Sequence, residues 1–226
     1  MKKKVAIIGA GVSGLTAGIY ACKAGFETEI YESHFVAGGM CTGWKRKGYT
    51  VDGCIHWITG YRKGSELYNI WETCGALGNG VDVVHHDYMM SVRSGDNYHY
   101  VYSDLDKLEQ EFTAISPKDA DQIKELVRII RVYEKLPIPA YKPQELMTIV
   151  DKIRFYYPYL KAGKYLSMAT KNSIGEYLSR FHSPLIRQLL TSVIPNTEMS
   201  ANALFFTLAT FSSRNGGWPS GGSYAM

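Results

Sequence analysis

Apolar and polar positions change period several times along the chain, and each change predicts an element. Lys3 to Ile8 is a short β-branched run, expected as a strand buried on both faces. Gly9-Ala10-Gly11-Val12-Ser13-Gly14 follows, and Leu15 to Ala24 reads as a helix stopped by Gly25. Thr28 to Glu32 is the second strand. Ser65 to Cys74 puts Leu67, Ile70, Trp71 and Cys74 on one helical stripe, with Gly75 as the stop. Met89 to Arg93 and Tyr98 to Tyr102 flank Ser94-Gly95-Asp96-Asn97, a hairpin pattern.

Helix signals dominate after that. Asp104 caps a helix with Leu105, Leu108 and Phe112 on its inner side. Ser116-Pro117-Lys118-Asp119 starts another, whose stripe is Ile123, Leu126, Val127, Ile130 and Tyr133. Ser173 with Glu176 forms a capping box, and Ser183 and Ser200 are further caps. The expected inner residues are Ile174, Tyr177, Leu178 and Phe181, then Leu185, Leu189 and Val193, then Leu204, Phe205, Leu208 and Phe211.

The first strand, glycine turn, helix and second strand together make a dinucleotide-binding fingerprint in its required context. Gly9 permits the tight turn, Gly11 lets backbone approach a pyrophosphate, and Gly14 lets helix and strand pack closely. The helix N-terminus offers N–H groups and partial positive charge to phosphates. Glu32, 18 residues after Gly14, is placed to accept from adenosine ribose hydroxyls. The same uncharged run after Lys4 imitates a signal peptide or membrane span. Three glycines within six residues at its middle argue against both. The chain is therefore expected to be cytoplasmic, with at most peripheral membrane contact.

A second glycine pair, Gly38-Gly39, lies six residues beyond Glu32, and a hairpin-like pattern then leads to Val51-Asp52-Gly53-Cys54-Ile55-His56-Trp57. On these residues the chain resembles the FAD-dependent amine oxidase and phytoene desaturase superfamily. Within it, the segment looks most like the carotenoid isomerase and retinol saturase branch. The resemblance is strong over residues 1–60 and loose beyond. It implies FAD as cofactor, contacted by Gly9, Gly11, Val12, Ser13, Gly14, Glu32, Gly38, Gly39 and Met40. Many relatives carry Arg or Lys where this chain has Met40, which leaves phosphate neutralisation to the helix dipole and backbone. His56 and Trp57 are the candidates for lining the flavin or substrate face, with a structural hydrogen bond as the other reading of His56.

The implied fold class is α/β. A Rossmann-like FAD-binding domain of the GR2 type, incomplete, carries an inserted α+β substrate domain. The expected divisions are residues 1–76, 77–212 and 213–226, the last a return into the FAD domain. Gly216-Gly217-Trp218-Pro219-Ser220-Gly221-Gly222 resembles the family segment that makes this return, and the sequence reads as the N-terminal half of a larger enzyme. The implied function is a flavin-dependent desaturase, saturase or isomerase for a lipophilic, polyene-like substrate. An amine-oxidase-type flavoenzyme and a non-catalytic fragment bound to a partner chain are the alternatives. Weak FAD retention, no turnover by the chain alone, and association with a missing half or with itself are the matching expectations.

Composition changes this picture in one place. Net charge is only +4, but Lys142 to Lys171 holds six bases against two acids, interleaved with Phe155, Tyr156, Tyr157, Tyr159, Leu160 and Tyr165. A solvated basic face and a membrane-docking surface both fit, and no nucleic-acid-binding module accompanies it. No metal site is expected. His85 and His86 are adjacent and point to opposite faces of a strand, and the cysteines 22, 41, 54 and 74 contain no Cys-x-x-Cys pair. The cysteines read as reduced thiols.

Overall fold

The apolar N-terminal run forms strand β1 (Lys4–Ile8), and helix α1 (Val12–Lys23) returns the chain to strand β2 (Glu27–Tyr31). In this computed structural model, residues 2–78, 80–138, 140 and 142–224 are described. β1 and β2 pair in parallel from Lys4 opposite Glu27 to Ile8 opposite Tyr31. A parallel pair needs a crossover, and α1 supplies it. The expectation that β1 is buried on both faces is corrected: its burial alternates, and Ile8 is 85% exposed. One face of the pair packs on α1, where Ile7 and Ile30 meet Gly18, so alternate side chains stay in solvent.

Strands β3 (Gly43–Arg46) and β4 (Tyr49–Asp52) form the hairpin between the glycine pair and the His-Trp segment. Lys47 and Gly48 both take positive φ at its tip, as a two-residue hairpin turn with strand-like twist requires. Helix α2 (Glu66–Thr73), capped by Ser65, follows strand β5 (Ile58–Thr59). Its most buried member is Tyr68, outside the expected stripe; Leu67, Ile70, Trp71 and Cys74 are only half-buried. Tyr68 packs with Ile58 and Leu77, and Val81 and Val83 pack against that cluster. These contacts hold Leu77, Val81 and Val83 with the N-terminal unit. The compact units divide after Val84 and after Gly216. Strand β6 (Val83–Val84) pairs with the late strand β9 (Gly216–Pro219), which also joins β5.

The second unit, His85–Gly216, begins with the hairpin of β7 (Tyr88–Ser94) and β8 (Asn97–Tyr102). Helices α3 (Leu105–Ile115), α4 (Ala120–Tyr133), α5 (Ile149–Lys161), α6 (Gly163–Lys171), α7 (Ile174–Leu178), α8 (Pro184–Val193) and α9 (Ala201–Ser212) follow. Asp104 caps α3 through the N–H groups of Asp106 and Lys107, and Ser173 and Glu176 form the expected capping box. The expected inner residues of α3, α4, α7 and α9 are buried, and Ile129 on α4 and Ala201 and Ala209 on α9, which the expected stripes did not include, are buried with them. On α8 the buried set is Ile186, Leu189, Leu190 and Val193, and Leu185 is only half-buried. Among the described residues no helix is long and apolar enough to cross a membrane.

Asp119 belongs to a short turn before α4 and is fully buried. Its carboxylate accepts from the His182 and Ser183 N–H groups at 2.7 and 2.9 Å, and contacts the His182 ring at 2.8 Å. Burial pushes this carboxyl up, but those donors outweigh it and bring it down from 3.8 to about 2. A lowered folded value means that the contribution is whole above 3.8 and drains away as pH falls toward about 2. Asp119→Ala is expected to cost about 3 kcal/mol at neutral pH, since it orphans several donors at once. Urea unfolding at neutral pH and near pH 3 should show the gap between variant and parent narrowing in acid.

Candidate nucleotide-binding site

The site grows from the turn that ends β1. Gly9, at φ +96°, donates its N–H to the Tyr31 carbonyl at 2.7 Å and hands the chain to α1. Gly11 occupies the N-cap position of α1, no side chain caps the helix, and its first turn contains no acid. The leading N–H groups and the positive end of the dipole therefore face outward with no side-chain acceptor. Val12 and Ser13 are exposed there. Gly14 is fixed by space: a Cβ would stand 1.9 Å from the Gly9 carbonyl oxygen.

The second glycine pair comes to the same place. Gly38 donates its N–H to the Ala10 carbonyl at 2.8 Å, and Gly11 and Gly38 form a parallel bridge. A Cβ on Gly39 would meet the Gly11 Cα at 3.1 Å. Two glycine segments thus lie backbone against backbone beside an uncapped helix start. Glu32, one residue past β2, accepts from the Ala10 N–H at 2.6 Å and the His34 N–H at 2.9 Å. The His34 and Ala10 donors hold its carboxyl below the usual range. A carboxylate offers about four lone-pair sites, so two backbone donors leave room for ligand hydroxyls. Met40, directly after the pair, is 86% exposed.

His56 and Trp57 sit in the loop between β4 and β5, with ring centroids 6.3 Å apart and edge-on. His56 is exposed and Trp57 half-buried. Asp52, legible in the sequence only as part of segment 51–57, organises that loop. It accepts from the Cys54 and Ile55 N–H groups at 3.0 and 2.8 Å and from the Ser223 N–H. Partial burial pushes the Asp52 carboxyl up, but the three backbone donors bring it down to about 2. Tyr224 adds a hydroxyl bond to the Gly43 carbonyl at 2.6 Å. An open cleft of about 440 Å³ lies here, lined by Lys45, Thr50, Asp52, Gly221, Gly222 and Tyr224. The Cys41 and Cys54 sulfurs are 3.9 Å apart, and partial burial with the neighbouring thiol pushes Cys41 up, which favours the protonated form. All four cysteines are free thiols.

Two histidines of the second unit take structural partners. His85 contacts the Gly216 carbonyl at 3.2 Å and His99 contacts Glu111 at 3.1 Å. Among the described residues no three His, Cys, Asp or Glu side chains cluster as metal ligands.

Residues 7–74 match the family model of the NAD(P)-binding Rossmann-like domain. The N-terminal unit is Rossmann-like. A putrescine oxidase double mutant shares the fold at a TM-score of 0.56 and 13% identity, covering 100% of this chain and 48% of that one. Wild-type putrescine oxidase bound to putrescine gives 0.54 and 14%, over 94% and 43%. The PF1083 protein from Pyrococcus furiosus gives 0.51 and 17%, over 98% and 46%. The chain thus spans under half the length of each of these solved structures. No curated protein matches it by sequence. The α/β class expected from the Rossmann-like unit is the class observed.

Proposed function

We propose that the protein is an FAD-dependent oxidoreductase of the desaturase, saturase or isomerase type, acting on a lipophilic, polyene-like substrate. One observation carries the cofactor: the packing of Gly38-Gly39 onto the Gly9–Gly14 turn, beside an uncapped helix N-terminus. Backbone N–H groups from two segments can meet a diphosphate there, where a Cβ on Gly14, Gly38 or Gly39 would press on neighbouring backbone. Glu32 suits free ribose hydroxyls and would repel a 2′-phosphate. Bound FAD would supply hydride acceptance or donation, which no side chain of this chain provides. The chain's own residues grip and orient it: Gly11, Val12 and Ser13 at the diphosphate, Glu32 at the ribose, Gly38, Gly39 and Met40 alongside. His56 and Trp57, on the loop braced by Asp52, are assigned to the flavin or substrate face.

Amine oxidation is the second reading, favoured by the fold shared with putrescine oxidase. A panel of substrates offered anaerobically to the FAD-loaded protein separates the two. Loss of the oxidised flavin's visible absorbance with a polyene is the expected result. Bleaching by putrescine alone would establish the amine reading. No flavin spectral change in either redox direction, together with no isomerised polyene, leaves the non-catalytic fragment.

A further inference from the structure

Helix α5 carries two apolar faces, and only one of them is used by the fold. Phe155 is buried, and Tyr159 is held inward by donating its hydroxyl to the Pro137 carbonyl at 2.7 Å. On the opposite side Ile149, Ile153 and Leu160 are 78%, 64% and 77% exposed, and Val150, Tyr156 and Tyr157 are exposed with them. At about 100° per residue these six side chains fall within an arc of roughly 120°. Their spacing is that of a buried stripe, yet they face solvent. The helix is anchored in this orientation by a capping box between Thr148 and Asp151, and by an ion pair from Lys142 to Asp151 at 2.9 Å. That pair also consumes the one acid of the helix.

The borders of the stripe are basic. Arg154 and Lys161 lie along one edge and Lys152 along the other, with Lys164 just beyond on α6; all four are exposed. Lys161 places its ammonium 4.6 Å from the Tyr157 ring centroid, so its stem already lies along the apolar face with the charge at the rim. We propose that this face of α5 lies in the headgroup region of an anionic lipid bilayer. Ile149, Ile153, Tyr157 and Leu160 would enter the acyl boundary and the four bases would pair with headgroup phosphates. A second copy of the chain fits the same face poorly, because it would bring like-charged borders together. A nucleic acid would satisfy the bases and leave the stripe wet. For a lipophilic substrate the surface would set the protein where such molecules reside.

The test is sedimentation of the full chain, without flavin, with vesicles of phosphatidylcholine alone or mixed equally with phosphatidylserine. Omitting flavin keeps this outcome separate from the oxidoreductase reading. Strong retention is expected on the mixed vesicles at low salt, weakening as the Debye length falls to about 8 Å at physiological ionic strength. Replacing Lys152, Arg154, Lys161 and Lys164 by Gln should weaken binding about fivefold per base. The pair Ile153→Glu with Leu160→Glu should weaken it at least about tenfold. Both variants alter exposed side chains, so circular dichroism and the thermal midpoint should stay as in the parent. Equal retention on neutral vesicles, or retention indifferent to both variants, would overturn the proposal. So would binding to single-stranded RNA without binding to vesicles, or a dimer that Leu160→Glu dissociates while vesicles capture nothing.

Discussion

Gly14→Ala is expected to weaken nucleotide binding at least about tenfold and to destabilise the N-terminal unit by about 1–3 kcal/mol. The new Cβ would sit 1.9 Å from the Gly9 carbonyl oxygen and 3.1 Å from its carbon, both backbone atoms that cannot swing aside. Relief requires α1 to move off β1, which carries the leading N–H groups away from the Gly9–Gly14 turn. A loss of at least about tenfold in affinity follows from a displacement of that kind, since each tenfold is only 1.4 kcal/mol. Gly25→Ala is the control. Gly25 also has positive φ, at +87°, but nothing lies within 4 Å of its added carbon. It should cost about 1–2 kcal/mol in backbone strain and leave affinity unchanged. Thermal unfolding and a ligand titration on both variants check the contrast.

The second large effect is expected in the helical unit. Phe205→Ala should cost about 3–5 kcal/mol. The ring is fully buried, edge-on to Tyr177 at 4.8 Å and to Tyr133 at 5.5 Å between centroids. Burial pushes both tyrosine hydroxyls up, and Tyr133 donates to Asn202 on the same helix as Phe205. Removing the ring therefore opens a cavity and loosens a polar contact together. Urea unfolding followed by tyrosine fluorescence should register the loss in the second unit.

Much of this was legible in the residues, for a physical reason. Caps, positive-φ glycines and short hairpins are decided by a few neighbours in the chain, so Asp104, Ser173, Ser183 and Gly95 announce their roles locally. The glycine turn and Gly38-Gly39 are legible because only glycine admits such close backbone approach. What the sequence withholds is direction. The stripe of α5 has the spacing of an inner face, and periodicity cannot say which face a neighbour covers. Leu185 and Ile186 differ by one position, about 100° of rotation, and the choice between them rests on tertiary packing. Asp52 and Ser223 are 171 residues apart, and nothing local marks their bond. Asp119 looks like an ordinary first-turn acid until His182 and Ser183 are seen to close over it.

The proposed FAD site stands or falls on whether the two glycine segments hold the cofactor's diphosphate. Its most direct test is a calorimetric titration of the chain with FAD, ADP and riboflavin in turn. FAD is expected to bind, ADP to compete for the same site, and riboflavin, which has no diphosphate, neither to bind nor to compete. Riboflavin binding as tightly as FAD, or rejection of both FAD and ADP, would contradict it.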